Sequence, residues 1–375
     1  MVANAMFDPQ VWAAVPFHFW SVVFFVFGSI VGSFLNVCIY RMPLGLSVVS
    51  PPSHCPHCKY SIPFYLNVPL LTWLSLRGRC KNCGAPISPR YFIVELLTGL
   101  LFLACWLKLG GTSAGVALAF CLLVAGLIVA TFIDFEHFII PDEITFGGMV
   151  AGVVVTFFVP RLQHTHALGE ALERSVLGGI VGAGVVYAVL RLGKLLFGRQ
   201  KITLPPDSRI VFAETALYLP DQEIPYDEIF YRKTDTLVLA AKRVELVDRS
   251  YPEVTLRLAL RLGRLELVLP GQPTEVLNPD AIQHLEVVAS EIVIPREAMG
   301  LGDVKFMGAI GTFVGWQGTL FSLMASSVIG SVVGIVLIVL GRREWSSRMP
   351  YGPYIALAAL VWVFIGDWFW KLIFP

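Results

Sequence analysis

GVALAFCLLVAGLIVATFI, residues 115–133, runs for nineteen residues without a charged side chain and stops at Asp134. As a helix it is about 29 Å long, close to the thickness of a bilayer's hydrocarbon core. Seven other apolar segments lie at 15–39, 92–109, 143–160, 175–197, 304–318, 319–340 and 353–372. Each is near the roughly 20 residues that a crossing helix needs. The segment 304–318 is short and Gly-rich, and Gln317 beside Gly318 marks the turn into the next one. The composition agrees, with 56% hydrophobic residues, a mean hydropathy of +0.71 and only 15% charged residues, against about 25% charged in a soluble domain. The spacing predicts a polytopic α-helical membrane protein with about eight transmembrane helices.

Charge is unevenly placed. The net charge is +1, yet the stretch 198–298 carries sixteen acidic and twelve basic residues, about half of all the charge in about a quarter of the chain. No basic run resembles a nucleic-acid surface, so no nucleic-acid partner is expected. Met1–Gln10 lacks a basic n-region, and the first apolar run is followed by Arg41 rather than a small-residue cleavage site. That run reads as a membrane span, not a removable signal.

Lys and Arg in the short loops orient the chain. Arg77, Arg79, Lys81 and Arg90 follow span one; Arg191, Lys194, Arg199 and Lys201 close span five; Arg342, Arg343 and Arg348 precede span eight. Alternation puts all three clusters on one side, the cytoplasm, against a thinner set of Lys108, Arg161 and Lys371 opposite. The expected organisation is a first transmembrane helix (1–40), a cytoplasmic zinc-binding domain (41–91), helices two to five (92–199), a cytoplasmic insert (200–295) and helices six to eight (296–375). The insert contains short, β-branched, partly alternating runs broken by Pro and Gly, which read as strands. Its Asp and Glu residues read as solvated surface.

Cys55-Pro-His-Cys58 and Cys80-Lys-Asn-Cys83 are two CxxC pairs separated by 21 residues. Each such turn aims two sulfurs at one ion, so the four Cys read as a tetrahedral structural zinc site that supplies folding energy to a small module. Disulfides are the alternative, and a reducing cytoplasm argues against them. A neighbouring His54 or His57 in place of one sulfur stays open. Cys38, Cys105 and Cys121 lie in spans and read as packing residues.

Ionisable residues at the ends of spans are functional candidates by default. Asp134 directly follows the run 115–133, and Asp303, in Gly300-Leu-Gly302-Asp303-Val-Lys305, directly precedes the run 304–318. Both fall at the same membrane face. A two-carboxylate site is expected there, with one group taking a proton from water and the other donating one. Helix caps and an ion-pathway pair are the alternatives. Gly300 and Gly302 read as allowing a tight turn and close approach of a substrate strand. Pro141 places Asp142 as the N-cap of the next helix. Glu136, His137 and Lys305 read as interfacial groups that tune the site or snorkel.

These residues resemble the type IV prepilin peptidases, the prepilin leader peptidase and N-methyltransferase family of GxGD-type membrane aspartic proteases. Gly32-Ser-Phe-Leu-Asn36-Val-Cys-Ile-Tyr-Arg41-Met-Pro43 is similar to the family's GSFLNVxIxRxP opening. Arg77-Gly-Arg-Cys80-Lys-Asn-Cys83, Ser88-Pro-Arg90-Tyr91 and Glu95-Leu-Leu resemble the second half of its cytoplasmic domain. Asp134 with Pro141-Asp142, and Gly300 to Lys305, resemble its two catalytic blocks, and Pro350-Tyr-Gly352-Pro353-Tyr354 its segment before the last span.

The resemblance implies that Asp134 and Asp303 are catalytic. The implied substrates are type IV prepilins or pseudopilins, cut at the cytoplasmic face of the bacterial inner membrane. It also implies N-methylation of the new N-terminus with S-adenosylmethionine, in a pilus or type II secretion system with its assembly proteins as possible partners. No Rossmann-type glycine fingerprint locates the methyl donor. The insert departs from the shorter members; it reads as a tolerated surface insertion or as a recruiting or gating element. The rivals are a leader peptidase without methylation, an ion-coupled transporter and an assembly scaffold.

Overall fold

The computed structural model describes residues 16–197, 199–220, 222–230, 235–271, 273–282, 284–295, 300–341 and 349–373. Met1–Val15 and Arg342, Arg343 and Arg348, which entered the signal-peptide and orientation readings, lie outside the described residues. The chain forms two compact units, Met1–Tyr187 with Gly300–Pro375, and Ala188–Met299.

The first unit is helical. Its elements are α1 (Phe17–Arg41), a short α2 (Leu71–Ser75), α3 (Pro89–Cys105), α4 (Ala114–His137) and α5 (Asp142–Phe158). They are followed by α6 (Leu168–Phe197), which runs into the second unit, then α7 (Leu301–Val339) and α8 (Gly352–Ile373). Among the described residues, five helical stretches are long and apolar enough to cross a membrane: Phe17–Leu44, Pro89–Gly110, Ala114–His137, Leu168–Leu195 and Leu301–Val339. The chain is a polytopic membrane protein.

Local chemistry sets the ends. Ser88 Oγ accepts from the Arg90 N–H at the start of α3, and Ser113 Oγ accepts from Val116 N–H at the start of α4. Each cap contributes about 1 kcal/mol. α4 stops where Phe138 turns left-handed at φ 55°. α1, α3 and α4 share a core of Phe24, Ile39, Val94, Phe102, Val124, Ile133 and their neighbours.

The turn expected at Gln317–Gly318 lies earlier. Gly315 is the residue with non-helical backbone inside α7, at φ 69° and ψ 178°, a region that is essentially glycine's alone. Gly318 stays helical, and the Trp362 indole occupies the place of its missing side chain. Carbonyls released by the break find partners. Gln163 Nε2 donates to Thr312 O at 2.9 Å and to Phe313 O at 3.3 Å, and Ser175 Oγ donates to Thr312 O at 2.8 Å. Such pairing is what a broken helix needs where no water is at hand. The stretch of α7 before the break, 301–314, is only about 21 Å long.

The second unit is mostly β, and among the described residues β1 (Arg199–Phe212), β2 (Ala216–Tyr218), β3 (Glu223–Pro225), β4 (Leu237–Leu246), β5 (Ser250–Ala259), β6 (Arg264–Val268), β7 (Glu275–Leu277) and β8 (Leu285–Pro295) form one antiparallel sheet in the order β3-β2-β1-β8-β4-β5-β6-β7. It runs from β1 (Arg199–Phe212) to β8 (Leu285–Pro295), and those two strands are neighbours, with Arg199 opposite Pro295. Ile210, Leu217, Leu239, Leu256, Leu267, Val287 and Ile292 are among its buried core. The expectation that all its acidic residues are solvated fails at Asp235. That side chain is 4% exposed, and its Oδ1 lies 4.0 Å from Lys194 Nζ. A buried carboxylate is tolerable only beside such a partner.

Candidate active site and metal centre

Asp134 sits in the last turn of α4 and Asp303 in the first turn of α7. Both are buried, 5% and 9% exposed, and the two carboxyl groups interact electrostatically. Each is held by a backbone N–H from a different place. Gly352 N–H, the first residue of α8, donates to Asp134 Oδ2 at 2.8 Å. Gly300 N–H donates to Asp303 Oδ2 at 3.2 Å, so Asp303 also serves as a cap for its own helix. The first N–H groups of a helix have no partner within it, and Pro353 has none to offer. Tyr354 and Ile355 N–H turn back to Tyr351 O, and Asp134 takes the Gly352 N–H at the positive end of that helix's dipole.

Ile140 fills the space between the two blocks. A side chain added at Gly302 would lie 3.5 Å from its Cβ, and one at Gly352 would lie 3.2 Å from its Cδ1. Tyr351, beside Gly352, is anchored by its hydroxyl at 3.0 Å from both Ser326 Oγ and Ser327 Oγ of α7.

Three expectations change here. Asp142 is not the N-cap of α5: Pro141 holds that position, Asp142 is the first helical residue, and no side-chain cap bond forms. Its Oδ1 instead accepts from Lys305 Nζ at 2.6 Å, and Lys305 also lies 4.9 Å from the Phe146 ring centroid. Lys305 is thus held at the start of α5. Its pair is part-exposed and contributes about 0–1 kcal/mol, so its effect is to fix α7 against α5 rather than to stabilise the fold. Gly300 is extended at φ −76°, a conformation open to any residue, and a side chain at Gly302 would meet Ile140 at ordinary contact distance. Neither glycine is required by backbone geometry.

Glu136 pairs with Arg90 of α3, which ties the end of α4 to the cysteine-bearing segment. The sequence reasoning did not single out Gly352, Ile140, Tyr351 or Arg90 as site residues. A Gly-Pro step starting a span at the depth of Asp134 was the available signal for Gly352; Ile140 carried none.

The four cysteines converge. Their sulfurs lie within 4.8 Å of one another, with Cys55–Cys83 at 3.8 Å and Cys58–Cys80 at 4.0 Å. A tetrahedral ion with Zn–S bonds of about 2.3 Å sets its sulfurs about 3.8 Å apart. The two turns that carry them are alike. Lys59 N–H bonds to Cys55 O and Gly84 N–H to Cys80 O, and both Lys59 and Gly84 are left-handed. The flanking bridges His54–Ser61 and Arg79–Pro86 also correspond. Asn82 Nδ2, 3.5 Å from Cys58 Sγ, is the main reason that this thiol is pulled down to about 6. Backbone N–H groups of Cys83 and Asn82 lower Cys80. Both favour the thiolate that a metal binds, while burial and the neighbouring thiols push Cys83 up to about 11. His54 instead shares Nδ1 with Pro52 O at 3.0 Å, and His57 is exposed. The site fits zinc through four sulfurs.

Structural zinc contributes about 10–16 kcal/mol to the folding of a small module. Metal analysis of the purified chain should therefore find about one zinc per chain. Cys58→Ser with Cys80→Ser should remove it and open 41–91 to limited proteolysis. Wild-type protein without metal, or a double variant that retains it, would defeat the assignment.

Sequence comparison agrees with this layout. The profile of the Bacterial Peptidase A24 N-terminal domain matches residues 26–109, which hold the four cysteines. The profile of the Type IV leader peptidase family matches 121–202 and 279–335, which hold the two aspartates. The prepilin leader peptidase/N-methyltransferase of Myxococcus xanthus is 48% identical over 196 residues, 48% of this chain and 57% of that protein. The Aeromonas hydrophila protein of the same name is 28% identical over 384 residues, 94% of this chain and 93% of its own. The type 4 prepilin-like proteins leader peptide-processing enzyme of Escherichia coli O78:H11 is 42% identical over 193 residues, 47% of this chain and 68% of that protein. No solved structure gives a significant match. The second profile breaks off at the insert and resumes near its end, and a relative that is 42% identical is covered over two thirds of its length, so the chain belongs to the type IV leader peptidase family.

Proposed function

We propose that this chain is an aspartic endopeptidase that removes the leader peptides of type IV prepilins or pseudopilins. The observation that carries the reading is the convergence of Asp134 and Asp303, two buried carboxyl groups from the ends of different helices. One of them, ionised, takes a proton from water as the oxygen attacks the scissile carbonyl carbon. The other, protonated, donates to the carbonyl oxygen. The tetrahedral intermediate collapses as the amide nitrogen gains a proton and the C–N bond breaks, leaving a leader carboxylate and a new N-terminal amine. The pair is symmetric enough that the protons belong to both groups together.

Basic residues in the short loops, Arg77, Arg79, Lys81 and Arg90 among them, support a cytoplasmic placement of the site in the bacterial inner membrane. Assembly proteins of a pilus or secretion system are the further partners that this placement suggests.

Methylation of the new N-terminus with S-adenosylmethionine is the second half of the reading. It rests on the names of the relatives and on the N-terminal-domain match. Three buried polar side chains of that region bond to backbone, although Asn36 Oδ1 has no partner among the described residues. Asn36 Nδ2 donates to Tyr91 O, Glu95 accepts from Leu70 N–H, and Arg41 donates to Ser47 O and Pro51 O. These bonds hold the scaffold of the region, and methyl transfer is assigned no residue.

The test is the intact mass of a candidate prepilin after incubation with the purified chain in detergent, with and without S-adenosylmethionine. Loss of the leader mass is expected, with a further gain of one methylene when the donor is present. Unchanged mass on several prepilins would refute the peptidase reading.

The insert acts as a tolerated surface insertion. Because Arg199 and Pro295 are cross-strand partners, a short Gly-Ser linker in place of 200–294 spans the gap at little entropic cost. Cleavage by that variant should stay within about tenfold of the full chain. Its loss from a variant that remains folded would give the insert a part in recruitment or gating.

A further inference from the structure

The segment between the two cysteine pairs carries an apolar face that no part of the described chain covers. Phe64 is 89% exposed, Leu71 66%, Tyr65 56% and Leu74 53%. A soluble module would rarely present such a group together.

The depth of this face follows from its attachments. Leu70 N–H donates to Glu95 Oε2 at 2.7 Å. The Trp73 ring lies 5.2 Å from the Phe92 ring, and Trp73 Nε1 donates to Ile87 O at 3.4 Å. Phe92 and Glu95 belong to the first two turns of the apolar stretch Pro89–Gly110. They lie about 5 and 9 Å along its axis from Pro89. That stretch, about 33 Å long, little exceeds the hydrocarbon core it crosses. Leu70 and Trp73 therefore sit beside the part of α3 that enters the bilayer, not above it. Leu71 and Leu74, also three residues apart, share a side of the same short helix that stays exposed.

The charge beside this face is of one sign. Arg77, Arg79 and Lys81 are exposed and make no ion pair among the described residues, and Lys81 Nζ lies 5.8 Å from the Tyr65 ring centroid. Apolar side chains edged by Lys and Arg are what an in-plane membrane segment needs. The apolar face goes about 5–10 Å into the headgroup boundary, and the cations meet anionic phosphates.

We propose that residues 64–74 form a wedge seated in the headgroup region of the bilayer leaflet, with Arg77, Arg79 and Lys81 on the phosphates of anionic phospholipid. The wedge holds the zinc module flat against the membrane, at the end of the helices where Arg90 meets Glu136 and Asp134 lies two residues away. It rests on the membrane fold and not on the peptidase reading.

The test places a benzoylphenylalanine photo-crosslinker at Phe64, Leu71 or Leu74 in the full chain. The protein is reconstituted in vesicles of phosphatidylcholine with one quarter phosphatidylglycerol, irradiated, and weighed intact. A mass gain of one phospholipid is expected at all three positions, enriched in phosphatidylglycerol. Arg77→Gln, Arg79→Gln and Lys81→Gln together should reduce that enrichment by about fivefold or more. Absence of lipid adducts would overturn the wedge. So would adducts to an added prepilin in place of lipid, which would make the face a substrate-docking surface. Enrichment unchanged in the triple variant would overturn the headgroup contact. None of these outcomes depends on cleavage.

Discussion

Asp134→Asn and Asp303→Asn are each expected to lower the rate of leader removal by about a thousandfold or more, with the protein still folded. The magnitude follows from the work the two groups share. Proton transfer by one positioned group contributes about 10²–10⁴-fold, and groups that act as a unit fail together, so the double variant should be little worse than either single one. The amide is a sound choice because it keeps the structural contacts. An Asn oxygen at position 134 can still accept from Gly352 N–H, which now bonds at 2.8 Å. An Asn at 303 can still accept from Gly300 N–H. What the amide cannot do is exchange a proton with water or with the carbonyl oxygen. Intact-mass time courses of a prepilin, with thermal melts of both variants alongside, decide the matter. Cleavage within tenfold of wild type by either variant would remove that aspartate from the chemistry. Loss accompanied by unfolding would call for Asp→Glu at the same position, which retains the proton chemistry and should recover part of the rate if the carboxyl group is the reason.

Gly352→Ala is expected to cost about a hundredfold in kcat with KM nearly unchanged. An added Cβ would stand 2.8 Å from Asp134 Oδ2, 3.3 Å from its Cγ and 3.2 Å from Ile140 Cδ1. The first distance is shorter than real contacts allow, and both neighbours are buried, so the carboxyl group or the start of α8 must move. Displacement of a reacting group by about 1 Å is enough for a hundredfold loss. The change acts on a reacting group, so substrate binding should suffer less. Tyr351→Phe is a milder probe of the same turn. It keeps the ring and removes the hydroxyl held by Ser326 and Ser327, and a loss of about fivefold to tenfold is expected. A Gly352→Ala enzyme with normal kcat would show that the bond to Asp134 is incidental to catalysis.

Much of the architecture is a property of local sequence. A run such as 115–133 has no charge to leave in water and enough length to cross hydrocarbon, so it forms a membrane helix wherever it is placed. The CxxC turns likewise specify their own geometry, and alternating β-branched residues specify the strands of the insert. The positions of Asp134 and Asp303 at the ends of apolar runs were also legible, because an ionisable residue there is expensive and stands out.

The rest was decided by contacts between residues far apart in the chain. Gly352 and Asp134 are 218 residues apart, and Lys305 and Asp142 are 163 apart; no local pattern joins them. The cap expected of Asp142 gave way because a lysine from α7 competed for the carboxylate and Pro141 took the cap position. The break in α7 fell at Gly315 rather than at Gln317–Gly318. Gln163 and Ser175, from the approach to α6 and from α6 itself, satisfy the carbonyls released there, and Trp362 packs where Gly318 has no side chain. The sequence by itself determined which segments form long apolar helices, which cysteines can share an ion and which carboxylates lie at the helix ends, because hydrophobic length, turn geometry and charge act over a few residues. Only the tertiary structure decided which backbone N–H meets Asp134 and where α7 breaks, because those choices depend on which distant segment supplies the missing donor or fills the space.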